Sequence, residues 1–239
     1  MLGRIQPGRP VHVFLLLILI AMITAGCSLF SDDEWQYAQT PIPPPEERNG
    51  KPLVMIVGDS IAAGWEICDP TPCGGIERDW WQGAIGDQAW VFNRGVGNST
   101  TADLLERWQR DTKDADYIII LTGINDAFHN VSSENIIKNL ESMYRRAIDQ
   151  GTVPIIATIL PFNSDQQTPY VIVEQVNAYL VNREDWLILD LHTAFEDPEN
   201  PDHARPDELA TALHPNAKGY ARLTDYVREW WTENSPSNR

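Results

Sequence analysis

The chain has little positive charge. Lys and Arg number 18 against 34 Asp and Glu, for a net charge of −16 over 239 residues. Phosphate backbones are held by basic clusters, and none interrupts this acidic excess, so a nucleic acid partner is excluded. The acidity itself bears on solubility and names no substrate. Cysteine is scarce as well, with three residues. Cys68 and Cys73 stand as C-x4-C in "CDPTPC", and no second Cys/His cluster completes a metal site around them. A comfortable membrane span needs roughly 20 apolar residues, and the apolar stretch Val13 to Ile23 falls short of that. No internal repeat divides the chain.

What the N-terminus does have is a targeting pattern. Arg4 and Arg9 precede the apolar stretch, which runs into "TAGC" at Thr24 to Cys27. A basic region, a short apolar region and small residues before a cut site describe a signal peptide. Cys27 directly after Ala25-Gly26 resembles a bacterial lipobox, although Thr24 replaces the commoner Leu. The resemblance implies cleavage after residue 26 and lipidation of Cys27. A cleaved secretory signal or an uncleaved anchor would place the domain outside the cytoplasm equally. Loss of Arg4 and Arg9 leaves 16 basic against 34 acidic residues, a charge near −18. In an oxidising compartment Cys68 and Cys73 are expected to form a disulfide that staples a Pro-rich loop. Residues 27–50 read as an acidic, then Pro-rich, semi-extended spacer. Residues 51–239 remain for one domain with a good core.

Within that domain, five apolar runs read as buried strands: 52–58, 89–93, 116–123, 153–160 and 185–191. A strong helix lies between the third and fourth. Ser132 is placed to cap it, Glu134 sits in its first turn, and Gly151 stops it. Ile136, Ile137, Leu140, Met143, Tyr144, Ala147 and Ile148 are expected on its buried face. Further helices are expected over Thr101 to Arg110, Thr168 to Val181 and Asn216 to Trp231, the last with Pro215 in its first turn. Strands alternating with helices predict an α/β fold, a three-layer α/β/α sandwich around a parallel sheet. Ligands in such folds sit beyond the carboxyl ends of the strands. Polar residues follow four segments there: Asp59-Ser60, Gly97-Asn98, Asn125-Asp126 and His214.

A serine attacks an ester only if a base takes its proton and donors hold the oxyanion. Ser60, between a strand and a helix start, has its own backbone N–H to offer. Asn125 offers a side-chain N–H, the loop "GVGNST" a backbone N–H, and His214 a base. Ala62 stands where a G-x-S-x-G elbow needs glycine, which argues against an α/β-hydrolase.

These blocks resemble the SGNH, or GDSL-type, hydrolase family over residues 51–232. "VGDSIAAGW", "NRGVGNSTTADLL", "LTGINDAF" and "LHPNAKGYARL" match its four blocks in order. The resemblance implies a flavodoxin-like sheet and an esterase or lipase that works through a serine acyl-enzyme without a cofactor. It implies Ser60 as nucleophile and His214 as base. The oxyanion hole it implies is built from the Ser60 N–H, a backbone N–H at Gly97 or Asn98, and Asn125. Two positions depart from the pattern. Asn98 stands where the family has its oxyanion glycine, a change that keeps the N–H and suits a left-handed backbone. Thr211 stands where the family has the carboxylate three residues before the histidine. The expected orienter of His214 is therefore Thr211 or a backbone carbonyl, with Asp207 and Asp190 as alternatives.

Other residues carry blander expectations. Asp59 reads as a hydrogen-bonder of its loop and Asp190 as mainly structural. His129, His192 and His203 read as surface or loop residues, and His12 belongs to the signal peptide. The nine tryptophans are expected mainly in packing, with Trp65 or Trp80-Trp81 as alternative platforms for sugar rings. The substrate class expected is a small-molecule, glycan or lipid ester at the envelope. The rival reading is a binding lipoprotein that keeps the fold with weakened catalysis, and an acyltransferase is a lesser variant.

Overall fold

In the computed structural model, residues 42–64 and 80–235 are described. The expectations for the signal peptide, Cys27, Cys68, Cys73 and Trp65 lie outside those residues. The five apolar runs form one parallel sheet: β1 (Leu53–Gly58), β2 (Trp90–Gly95), β3 (Tyr117–Leu121), β4 (Val153–Ala157) and β5 (Leu187–Leu189). Its order is β2-β1-β3-β4-β5. Every residue of β1 is buried, as a strand covered on both faces by helices requires.

The helices are α1 (Trp80–Ile85), α2 (Thr101–Asp111), α3 (Ile124–Phe128), α4 (Ser133–Asp149), α5 (Gln167–Val181), α6 (Leu191–Phe195) and α7 (Ala217–Asn234). Packing divides them into two layers: α1 and α6 lie against α7, while α2, α4 and α5 lie side by side. The fold is thus the expected α/β sandwich with a flavodoxin-like strand order. Among the described residues no helix is long and apolar enough to cross a membrane.

Local details differ from the expectations where neighbouring groups compete. In α4, Ile136, Leu140, Met143 and Ala147 are buried, but Ile148 is exposed because it lies one step around the helix from that stripe. Ser132 is the N-cap of α4, yet its hydroxyl bonds the Glu134 carboxylate and no backbone N–H. Pro215 precedes α7 instead of opening it. Asn216 takes the cap, its side chain accepting from the Lys218 and Gly219 N–H groups. Trp80 and Trp81 are fully buried, stacked 3.7 Å apart and packed on Tyr220. They are core, and the sugar-platform reading fails for both.

The spacer also ends earlier than expected. From Ile42 the chain lies on the domain: the Arg48 side chain bonds the Pro43 carbonyl and Asp116, and its carbonyl accepts from Trp90 Nε1. The short helices α1, α3 and α6 were not foreseen, nor was a hairpin of β6 (Glu196–Asp197) and β7 (Asn200–Ala204).

Candidate active site

Both glycines that end β1 and β2 are there for close approach. A Cβ on Gly58 would lie 1.9 Å from the Leu121 carbonyl oxygen, and one on Gly95 would lie 2.5 Å from the Ala63 backbone nitrogen. The chain can therefore turn tightly out of β1 between its neighbours. In that turn Asp59 accepts the Ile61 N–H at 2.9 Å, and the Ala63 N–H returns to the Asp59 carbonyl. Asp59 is a loop hydrogen-bonder as expected, but a costly one: burial pushes its carboxyl up to about 7. The turn delivers Ser60, whose Oγ lies 2.8 Å from His214 Nε2. These two groups stand 154 residues apart in the chain.

His214 ends a tight turn, with the Ala210 N–H donating to the His214 carbonyl at 2.8 Å. Asn163 N–H holds the same turn through the Ala212 carbonyl. The group beside His214 Nδ1 is Thr211 Oγ1, at 3.1 Å. Burial lowers the affinity of the ring for a second proton, and among the described residues no carboxylate offsets it. The two acidic alternatives are engaged elsewhere. Asp207 pairs with Lys218, and Asp190 accepts from Thr158 Oγ1 and the Thr193 N–H at the start of α6. Neither is an orienter of His214.

The second loop is fixed to the end of β1 by the Val96 N–H on the Gly58 carbonyl. Asn98 is left-handed there, at φ 60°. Asn125 lies in the first turn of α3, which Gly123 caps, and its Nδ2 donates to the Ser99 carbonyl at 2.9 Å. Next to it the buried Asp126 accepts from the Thr101 N–H and hydroxyl, tying α3 to the start of α2. Loss of water raises its carboxyl above the usual range.

Arg107 went unnoticed in the sequence. It donates to the Gly58 carbonyl at 2.7 Å, to Ser99 Oγ at 2.9 Å and to Asp111 at 2.7 Å. One guanidinium thus braces the strand end that carries Ser60 against the loop that carries Asn98. The only signal available was an Arg four residues before Asp111 on a helix, a pattern that is ordinarily superficial. A depression of about 530 Å³ adjoins this loop, lined by Gly97, Asn98, Asp103, Glu106, Arg107 and Arg110 among others.

Of the other histidines, His129 is exposed and His203 lies against Tyr170 in β7. His192 is not superficial. It is half-buried, with Nδ1 against the Ile159 carbonyl and Asn177. It also lies with Glu196 and Asp202 so that one ligand atom of each falls within 4.8 Å of the others. No sequence spacing announced that grouping, because the hairpin that creates it was not foreseen.

The class that these observations define is an α/β fold whose parallel sheet brings a serine and a histidine into contact beyond its strand ends. The GDSL-like Lipase/Acylhydrolase family model matches residues 56–222, and the chain belongs to that family of hydrolases. No curated protein matches. Among solved structures, a GDSL-like lipase from Bacteroides thetaiotaomicron is 18% identical with a TM-score of 0.64, over 83% of this chain and 94% of that one. The lipase/acylhydrolase of Enterococcus faecalis is 22% identical with a TM-score of 0.57, over 76% and 96%. A variant of an acetyl-xylooligosaccharide esterase from Geobacillus is 20% identical with a TM-score of 0.55, over 75% and 93%. At these identities the likeness is one of fold.

Proposed function

We propose that the chain is a serine ester hydrolase that removes acyl or acetyl groups from a glycan or lipid in the cell envelope. The observation that carries this reading is the 2.8 Å contact between Ser60 Oγ and His214 Nε2. As the ester carbonyl is attacked, Ser60 Oγ bonds to carbon and its proton passes to Nε2. The tetrahedral oxyanion is met by the Ser60 N–H, a backbone N–H at Gly97 or Asn98, and the Asn125 amide. An amide nitrogen has two hydrogens, so the bond to Ser99 steadies Asn125 and still leaves one hydrogen for the oxyanion. His214 then returns the proton to the departing alcohol, and water repeats the sequence on the acyl-enzyme.

The envelope location rests on the N-terminal pattern ending at Cys27, read as a lipid anchor. Acetylated sugars enter the substrate range because one fold relative acts on an acetyl-xylooligosaccharide. A hydrolysis screen of the full chain on short and long acyl esters and acetylated sugars tests the reading. Turnover of at least one class, absent in Ser60→Ala, is expected. Turnover that survives Ser60→Ala would defeat it. A chain that binds such esters without turnover would be the weakened binding lipoprotein, the reading that Thr211 and Asn98 favour.

A further inference from the structure

A histidine can take a proton from serine only through a bare Nε2, so its own proton must sit on Nδ1. A carboxylate at Nδ1 guarantees this, because an ionised carboxylate only accepts. A hydroxyl accepts twice and donates once. What Thr211 does to the ring is therefore decided by its other partners.

Those partners are both donors. The His214 N–H reaches Thr211 Oγ1 at 3.0 Å and the Leu213 N–H reaches it at 3.3 Å. Two N–H groups occupy both lone pairs of the oxygen. The remaining neighbour is His214 Nδ1, at 3.1 Å. All that Oγ1 has left to offer it is the hydroxyl hydrogen. The O–H then donates to Nδ1, and the ring keeps its proton on Nε2, where it points at Ser60 Oγ.

We infer that Thr211 holds the resting His214 in the Nε2–H tautomer, which cannot accept the Ser60 proton. This deepens the function proposed above and rests on it. The site is assembled but set to the wrong proton, and it turns over only from the minor Nδ1–H form. Reaching that form requires solvent to place a proton on Nδ1 and to remove the one on Nε2. Thr211 must also stop donating and begin accepting, which frees one lone pair by giving up a backbone bond. The longer one, from Leu213, is the weaker. Because the buried ring resists double protonation, the exchange passes through a sparsely populated cation. The rate is scaled by the fraction of competent tautomer.

Two-bond ¹H–¹⁵N correlation on the full chain, labelled at histidine, reads the tautomer without any substrate. His214 is assigned by the signal lost in His214→Gln. Above its pKa the ring is expected to show a protonated Nε2 and a bare Nδ1. The reverse pattern in the wild type would overturn the inference. Thr211→Asp supplies an acceptor-only partner, so the pattern should reverse and kcat should rise by about 10–10²-fold with KM little changed. That rise is a fraction of the ~10⁴ lost when a full triad is given the wrong tautomer. A folded Thr211→Asp protein that keeps the Nε2–H pattern would also count against it. Failure of the hydrolase reading has a separate signature: neither form hydrolyses any ester, while the spectrum still reports which nitrogen holds the proton.

Discussion

The Ser60 half and the His214 half of the site are built from different materials. Ser60, the Asn98 loop and Asn125 stand on three adjacent strand ends, cross-linked by Arg107, by Asp126 on Thr101 and by the Val96 N–H. His214 stands on an irregular segment between β7 and α7. It is secured from below by Glu208, whose buried carboxylate is bidentate to Arg222 at 2.6 and 2.7 Å. The bonding of Asn216 to the Glu208, Asp207 and Leu209 carbonyls adds to this. The side chain that meets the imidazole, however, is neutral. The first half has its geometry and its hydrogen-bond donors both fixed. The second has its geometry fixed and its proton placement left to a hydroxyl. Position and protonation are separate requirements, and this protein meets them to different degrees.

Removing the support of the His214 half should cost stability outright. Glu208→Ala leaves Arg222 without its partner beside a buried gap, and breaking such a pair costs about 3 kcal/mol, the lower part of the usual range because Arg222 is partly open to solvent. Urea unfolding checks this. An unchanged midpoint would mean that Asn216 alone secures the segment.

Asn125→Ala attacks the other half at its donor. A fall in kcat of about 10²–10³ is expected with the fold intact. A change confined to KM would show that Asn125 binds only the ground state. Arg107→Lys keeps the charge but loses the three-way fork. It should lower kcat by roughly tenfold, since one kcal/mol or so of misplacement is a factor of that order. A rise in KM with kcat unchanged would make Arg107 a binding residue instead.

The last effect is a slope. Asp59 has a folded pKa of about 7 against an ordinary 3.8. Between these values the folded state holds the proton that the unfolded state has lost. The stabilisation is therefore complete below about pH 4 and is lost as pH rises towards 7. Asp59→Asn should lack that decline, so the stability of the wild type relative to the variant should fall between pH 4 and 7. Parallel stability curves for wild type and Asp59→Asn from pH 4 to 7 would contradict it.

The strands were legible because each is built on a short apolar run, and alternation with helices made the sheet parallel; the strand order came from the family resemblance. The four polar segments were legible because the sheet rule puts strand ends on one edge. Asp207 and Asp190 were misplaced as alternatives for a reason that sequence does not carry. Each had a nearer claimant, Lys218 in one case and the α6 backbone with Thr158 in the other. Trp80 and Trp81 were left open as sugar platforms, but α1 buries both, with Trp80 against Tyr220. The role of Thr211 was half legible. Its place beside the histidine followed from the three-residue spacing. The direction of its hydrogen bond depends on the two backbone N–H groups that the turn aims at it, and only coordinates show those.

Fluorophosphonate labelling of the full chain, read by intact mass, bears most directly on the pairing of Ser60 with His214. One adduct per chain at Ser60 is predicted, abolished by Ser60→Ala and slowed strongly by His214→Ala. No adduct on the folded protein, or one that forms equally fast without His214, would contradict it.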